Sequence, residues 1–366
     1  MRMRNPETFY ATWASSAPTE AAVGMWTYYA QAERNVTRNC SADYTHVTNC
    51  VDSILNNGTA TEIDDLKYAL YKAVLSGPHG QTPSYVNRTE AEGLSNASMA
   101  GYPLLPLSFY QYYGFEASAQ PFCDIMETFN DTAARTTNNG GTAPAIASES
   151  GIALTHNITA AWHAFLTGIA EIDYDSIPHA DDPIQDRGNP ANPHTIESRF
   201  YSLDLFQTGC DAAFPLGLPP SPNVTEPNKY GGWLINPPNT MFSSGEYDPW
   251  RALSPASTEI GSPNRTTSRR IPECNVAPPN ASVFGIVYRD MVHVSDMRAL
   301  LYGSDVRHRN FSTVGFSSPI STEPFYAGTG LFQSALEVWL PCFANGTYGG
   351  MMFGFPDGGE LASDCD

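Results

Sequence analysis

The sequence predicts an α/β protein, and three observations carry that reading. Three short runs read as strands: Thr8 to Ala14, Asn239 to Gly245, an apolar run that turns polar and small at its end, and Ser282 to Tyr288, rich in β-branched and aromatic residues. Residues 22–235, between the first run and the second, are dominated by apolar residues at helical spacing. The second and third runs each end close to a residue suited to proton chemistry, Asp248 and His293. Strands separated by long helical stretches are the pattern of a sheet with helices packed against it.

The first run, Thr8-Phe9-Tyr10-Ala11-Thr12-Trp13-Ala14, exits through Ser15-Ser16-Ala17-Pro18. These serines read as a polar strand exit, since no glycine elbow flanks them as it would a nucleophile. Helical patterns follow over Ala22 to Ala32 and Asp43 to Leu55. Thr61-Glu62-Ile63-Asp64 reads as a capping-box variant opening a helix to Leu75, stopped by Gly77-Pro78. Tyr102 to Phe129 is dense in aromatic residues and reads as packed core of the helical region. Asp131 to Ser150 is poor in apolar residues and predicts a surface loop. Gly151 to Ile172 and Thr195 to Phe214 predict further helices, joined by a Pro/Asp-rich loop. His179 and His194 in that loop read as solvated histidines rather than metal ligands. Pro215 to Asn228 leads back to the sheet, and a short helix is expected around Ser334 to Leu340.

A composition that is 42% hydrophobic and 12% aromatic supports a packed core. The formal charge of −19 argues against nucleic acid and anionic membranes as partners, and suits a chain that repels itself least in acid. No apolar stretch is long enough to span a bilayer, so no membrane span is predicted. Twelve N-glycosylation sequons are spread along the chain: Asn35, Asn39, Asn57, Asn87, Asn96, Asn130, Asn157, Asn223, Asn264, Asn280, Asn310 and Asn345. They point to the secretory route, although the N-terminus shows no signal-peptide pattern. Cys40, Cys50, Cys123, Cys210, Cys274, Cys342 and Cys365 lack zinc-site spacing and suit disulfides, with an odd thiol over. Neither a metal nor another cofactor is predicted.

A buried acid past one strand and a histidine past the next are two members of an acid–histidine–nucleophile triad. In an α/β-hydrolase the order is Ser, Asp, His, which puts the nucleophile before both. Pro249 keeps Asp248 out of helical geometry, so Glu246-Tyr247-Asp248-Pro249-Trp250 reads as the turn presenting the acid.

Ser244-Gly245-Glu246-Tyr247-Asp248-Pro249-Trp250 followed by His293-x-x-Asp296-x-Arg298 resembles the NG-x-x-DPW … H-x-x-D-x-R pattern of the prolyl-specific serine carboxypeptidases. That family includes lysosomal Pro-X carboxypeptidase, dipeptidyl peptidase II and the fungal acid prolyl endopeptidases. Ser244 departs from the pattern, which has Asn there. Tyr230-Gly231-Gly232 also matches, and Arg4 to Pro18 is similar to the strand the family places after its nucleophile helix. The resemblance implies an α/β-hydrolase whose sheet is incomplete in this chain, with a large helical cap insertion. Residues 1–21 are then a remnant of the hydrolase core, residues 22–235 the cap, and residues 236–366 the part of the core carrying the acid and histidine. It implies a serine peptidase cutting on the carboxyl side of proline, in proline-containing peptides or proteins, and a secreted or vacuolar-lysosomal site. Asp248 and His293 would be catalytic, Trp250 a wall of the proline-accepting pocket, and Asp296 and Arg298 an ion pair holding the histidine loop.

The family's G-x-S-Y-x-G elbow does not occur in the sequence. Gly346-Thr347-Tyr348-Gly349-Gly350 imitates it with Thr for Ser, but it follows His293 and reads as a glycosylated turn. The expectation is that the elbow lies upstream of Met1 and that a substrate-recognition segment is lost near Asp186-Arg187. The alternative from another class is a secreted glycoprotein without catalysis that binds peptides through the cap.

Overall fold

The computed structural model describes residues 2–6, 8–76, 86–107, 110–113, 115, 119–129, 135–136, 142–143, 145–146, 149–155, 157–171, 195–214, 217, 219, 222–297 and 323–345. The α/β reading holds at the level of a parallel sheet with many helices. Strands β1 (Thr12–Ser15), β2 (Thr240–Gly245), β3 (Thr266–Ser268) and β4 (Ser282–Tyr288) form one sheet in the order β1-β2-β4-β3, every neighbouring pair parallel. The register sets Thr12 beside Thr240 and Gly245 beside Tyr288, so β2 and β4 end level with each other. All six residues of β2 are buried, as a central strand covered on both faces requires. The first strand is shorter than predicted, because the chain from Thr8 to Ala11 is held by local and side-chain contacts rather than a ladder. β3 has no counterpart among the predicted strands.

One side of the sheet packs on a 23-residue helix, Glu323–Asn345, where a short one was expected. Its Ala335 and Trp339 bury against Met241 of β2 and Phe284 of β4. The indole of Trp339 meets the Phe284 ring edge-on at 5.6 Å and donates to the Pro272 carbonyl. Burying such a side chain contributes about 2 to 3 kcal/mol. The Cys274–Cys342 disulfide ties this helix to the loop before β4.

The predicted helical region is a helical assembly with its own core, built from α1 (Thr27–Glu33), α2 (Arg38–Asn57), α3 (Ala60–Ser76), α4 (Tyr110–Tyr113), α5 (Gln120–Glu127), α6 (Ile158–Ala170) and α7 (Leu203–Ala213), with short helices between. The capping box of α3 sits earlier than predicted: Thr59 and Glu62 exchange the reciprocal bonds, because Ala60 already opens the helix. Among the described residues of 151–172 there are two helices, Gly151–Thr155 and α6, since the Asn157 side chain accepts from Ala160 N–H and starts a new helix. Residues 195–202 are irregular and only α7 is helical there. Within the predicted surface loop 131–150, Arg135–Thr136 pairs antiparallel with Thr142–Ala143, and Ala145–Ile146 pairs antiparallel with Thr128–Phe129 just before it.

Tyr44, Phe122 and Phe165 cluster at edge-to-face and tilted angles in this core, and Cys40–Cys123 staples α2 to α5 beside them. Closing that 83-residue loop restricts the unfolded chain by about 4 kcal/mol. Among the described residues, Cys50 and Cys210 are unpaired thiols, and Cys365 lies outside them. Tyr110 and Phe122 are buried and Phe115 packs against the same core, as predicted for the aromatic stretch; Phe109 and the side chains of Tyr112, Tyr113 and Phe129 lie outside the described ones. Ala252, Leu253 and Val292 belong to the same helical core. The segments leaving β2 and β4 therefore run directly beneath the helices.

Candidate active site

The site begins where β2 and β4 end together. After Gly245 the chain turns, and Asp248 adopts the extended geometry (φ −68°, ψ 116°) that a following proline favours. Pro249 then opens a five-residue 3₁₀ helix, and the Asp248 carboxylate caps it, Oδ1 accepting from Trp250 N–H at 2.9 Å. Five residues past β4 stands His293, whose Nδ1–H donates to the same Oδ1 at 3.2 Å. A carboxylate can only accept, so this contact assigns the proton to Nδ1 and leaves Nε2 as the basic nitrogen of the neutral ring. Asp248 is fully buried, while the His293 side chain keeps 19% of its surface exposed. A buried acid behind a half-open imidazole is the arrangement that can pass a proton to a group in solvent and stabilise the imidazolium formed.

Glycine decides how closely the two loops approach. A Cβ on Gly245 would lie 2.2 Å from the Met291 carbonyl oxygen and 2.5 Å from that of Val292. With glycine there, Tyr247 N–H reaches Met291 O at 2.9 Å and Glu246 N–H reaches Tyr288 O at 2.8 Å, zipping the acid loop to the histidine loop. Asp290 N–H adds a bond to the Glu246 carboxylate.

The histidine loop is held from the other side by β1. Val294 has φ +45°, a conformation a β-branched residue adopts only when its surroundings impose it, and its N–H donates to Ser16 Oγ at 2.8 Å. Asp296 is 1% exposed and accepts from Ser15 Oγ and from Ser243 Oγ, each at 2.5 Å. Trp13 Nε1–H donates to Ser243 Oγ in turn. The Tyr288 hydroxyl is buried beside this network without a hydrogen bond of its own, and burial followed by the Asp296 charge pushes its pKa up. Among the described residues Asp296 is held by these serine hydroxyls; its expected ion-pair partner, Arg298, lies outside them. Ser15 and Ser16 are thus more than a polar strand exit, although they engage the loop backbone and Asp296 rather than a reacting group.

Trp250 is half-buried beside the histidine, its ring 6.3 Å from the imidazole and tilted by 48°. Tyr28 of α1 meets it edge-on at 5.7 Å. Both rings donate to one acceptor, Gln111 Oε1 of α4, Tyr28 Oη at 2.6 Å and Trp250 Nε1 at 3.0 Å. The Gln111 carbonyl accepts His293 N–H at 3.0 Å, and Tyr110 Oη donates to the Tyr247 carbonyl at 3.2 Å. Gln111 and Tyr28 carried no sequence signal, because their partners are far away in the chain. Three clefts of about 510, 320 and 580 Å³ lie elsewhere, along α1, α2 and α3, and touch neither Asp248 nor His293.

The chain matches no protein-family model and no curated protein. Among the described residues, no cluster of His, Cys, Asp and Glu could hold a metal ion, and no helix is long and apolar enough to cross a membrane. His179, His194, Asp186-Arg187 and the Gly346–Gly350 run lie outside the described residues. Of the sequons, Asn57, Asn87, Asn157, Asn223, Asn264 and Asn280 are exposed, and Asn35, Asn39 and Asn96 are half-buried. Asn130 and Asn310 lie outside the described residues, and Asn345 ends the last helix.

Proposed function

We propose that the chain carries the acid and the histidine of a serine peptidase of the prolyl-specific carboxypeptidase type, on an α/β-hydrolase sheet with a helical cap. The observation that supports it most is the pairing of Asp248 Oδ1 with His293 Nδ1 at the aligned ends of two adjacent parallel strands, in Asp-then-His order. In this reading His293 Nε2 takes the proton of a serine as it attacks the carbonyl after proline. Asp248 holds the ring's tautomer and stabilises its charged form, and His293 then returns the proton to the leaving amine. Trp250 lines the pocket for the proline ring. The nucleophile belongs on a strand beside β1, whose outer edge has no partner among the described residues. The two disulfides and the exposed sequons suit a secreted or lumenal glycoprotein. The absence of a G-x-S-x-G elbow from the sequence favours a second reading, a non-catalytic glycoprotein that binds peptides beside the same residues.

The test is an assay on a proline-directed chromogenic peptide at mildly acidic pH. It compares this chain with one extended at its N-terminus through the genomic frame upstream. Activity only in the extended protein, abolished by Asp248→Ala and by His293→Ala, is expected. An extended frame with no elbow, or activity that survives His293→Ala, refutes the peptidase reading.

A further inference from the structure

Gln111 presents more than its two accepted hydrogen bonds. The indole Nε1–H of Trp250 can only donate, so the atom facing it must be the amide oxygen, and the side-chain orientation of Gln111 is settled by its partner. The Tyr28 hydroxyl donates to the same oxygen. The amide –NH₂ at the other end of this planar group then makes no hydrogen bond among the described residues. Gln111 is 6% exposed, and its nitrogen is not among the side-chain atoms sealed from solvent without a partner. A nearly buried residue with its oxygen doubly satisfied and its two N–H donors open is poised to receive an acceptor. Those donors stand next to Trp250, one residue after Tyr110, whose hydroxyl braces the acid loop. The main chain of the same residue holds the histidine loop.

We propose that Gln111 is a ligand-binding and specificity-determining residue: its side-chain amide donates a hydrogen bond to a peptide carbonyl of the ligand whose proline ring packs on Trp250. The proposal rests on the peptidase reading for the chemistry of the ligand. A peptide carbonyl is the acceptor such a ligand always brings, and a glutamine donor adds no charge beside Asp248. The same side chain orients the indole, so the ring wall and the carbonyl anchor are fixed relative to each other.

The probe is uncharged N-acetyl-Ala-Pro-methylamide, with N-acetyl-Ala-Ala-methylamide as its comparison, titrated into the full chain by NMR. Saturation is expected to move the side-chain amide protons of Gln111 downfield. Gln111→Glu keeps acceptor oxygens for Tyr28 and Trp250 but removes both donors. It is expected to bind the proline probe at least about tenfold more weakly while the Trp250 indole N–H resonance stays in place. Gln111→Met, which adds no charge, is expected to lose both the affinity and the indole position. Unmoved Gln111 amide protons at saturation, or wild-type affinity in either folded variant, overturn the role of Gln111 and leave the peptidase reading standing. No binding of either probe to the wild-type chain overturns the peptidase reading and this proposal together.

Discussion

Replacing Asp296 tests whether the histidine loop is fixed from beneath by β1 and β2. The carboxylate is 1% exposed and accepts two short hydroxyl bonds, from Ser15 and Ser243. A hydrogen bond to a charged acceptor contributes about 1.5 to 3 kcal/mol, so removing both costs on the order of 3 to 6 kcal/mol. Relief from burying a carboxylate offsets part of that, and Asp296→Ala is expected to destabilise by about 3 kcal/mol. Asp296→Asn keeps one acceptor oxygen. Ser243 Oγ already accepts from Trp13 Nε1 and can accept one more N–H, at the expense of its own donor. The asparagine is therefore expected to cost about half as much as the alanine. Urea unfolding measures both variants, and amide exchange at His293 and Val294 reports whether the loop opens before the whole protein does. A change below about 1 kcal/mol in Asp296→Ala, with exchange at Val294 unaltered, refutes the reasoning.

Asp248→Ala is expected to release the imidazole from the Nδ1–H tautomer, seen as changed ring-nitrogen shifts of His293, and to cost about 1 kcal/mol or more through the lost cap at Trp250 N–H. Gly245→Ala drives a Cβ into the Met291 carbonyl at 2.2 Å and is expected to cost about 3 kcal/mol in urea unfolding while separating His293 from Asp248; unchanged stability contradicts the close-approach argument. Burial raises the carboxyl pKa of Glu33, Asp43 and Asp52 in the folded state, Asp43 despite its bonds from Ala153 and Ile152. The stability these groups contribute is full below the ordinary carboxylate range and is lost as pH rises through their raised values. Melting temperature is therefore expected to rise on acidification from neutral pH, helped by a formal charge of −19, and to rise less in Asp43→Asn. A melting temperature that falls steadily from pH 7 to 5 counts against this.

The α/β class was legible in residues 239–245 and 282–288, because short apolar runs that end in turn residues, the second of them rich in β-branched and aromatic side chains, have few other uses. Asp248 and His293 were legible as a pair because Pro249 marks a turn at one strand exit and the histidine follows the other. Local chemistry of that kind survives in the sequence because it acts between near neighbours. The length of the last helix was not legible, since its apolar positions satisfy Trp13, Phe284 and the sheet rather than a regular period. Nor was the capping residue of α3, where Thr59 outcompetes Thr61 by two positions. What only the tertiary structure decided is the bracing of the site. Ser15, Ser16 and Ser243 reach the histidine loop across 281, 278 and 53 residues, and Gln111 meets Trp250 across 139. Each is a small polar residue with an unremarkable local setting, and its partner is chosen by the parallel register of the strands and by the seat of α4 over their ends. Single-chain periodicity carries no trace of such partners, because the energy that selects them exists only once the sheet and the helices are packed together.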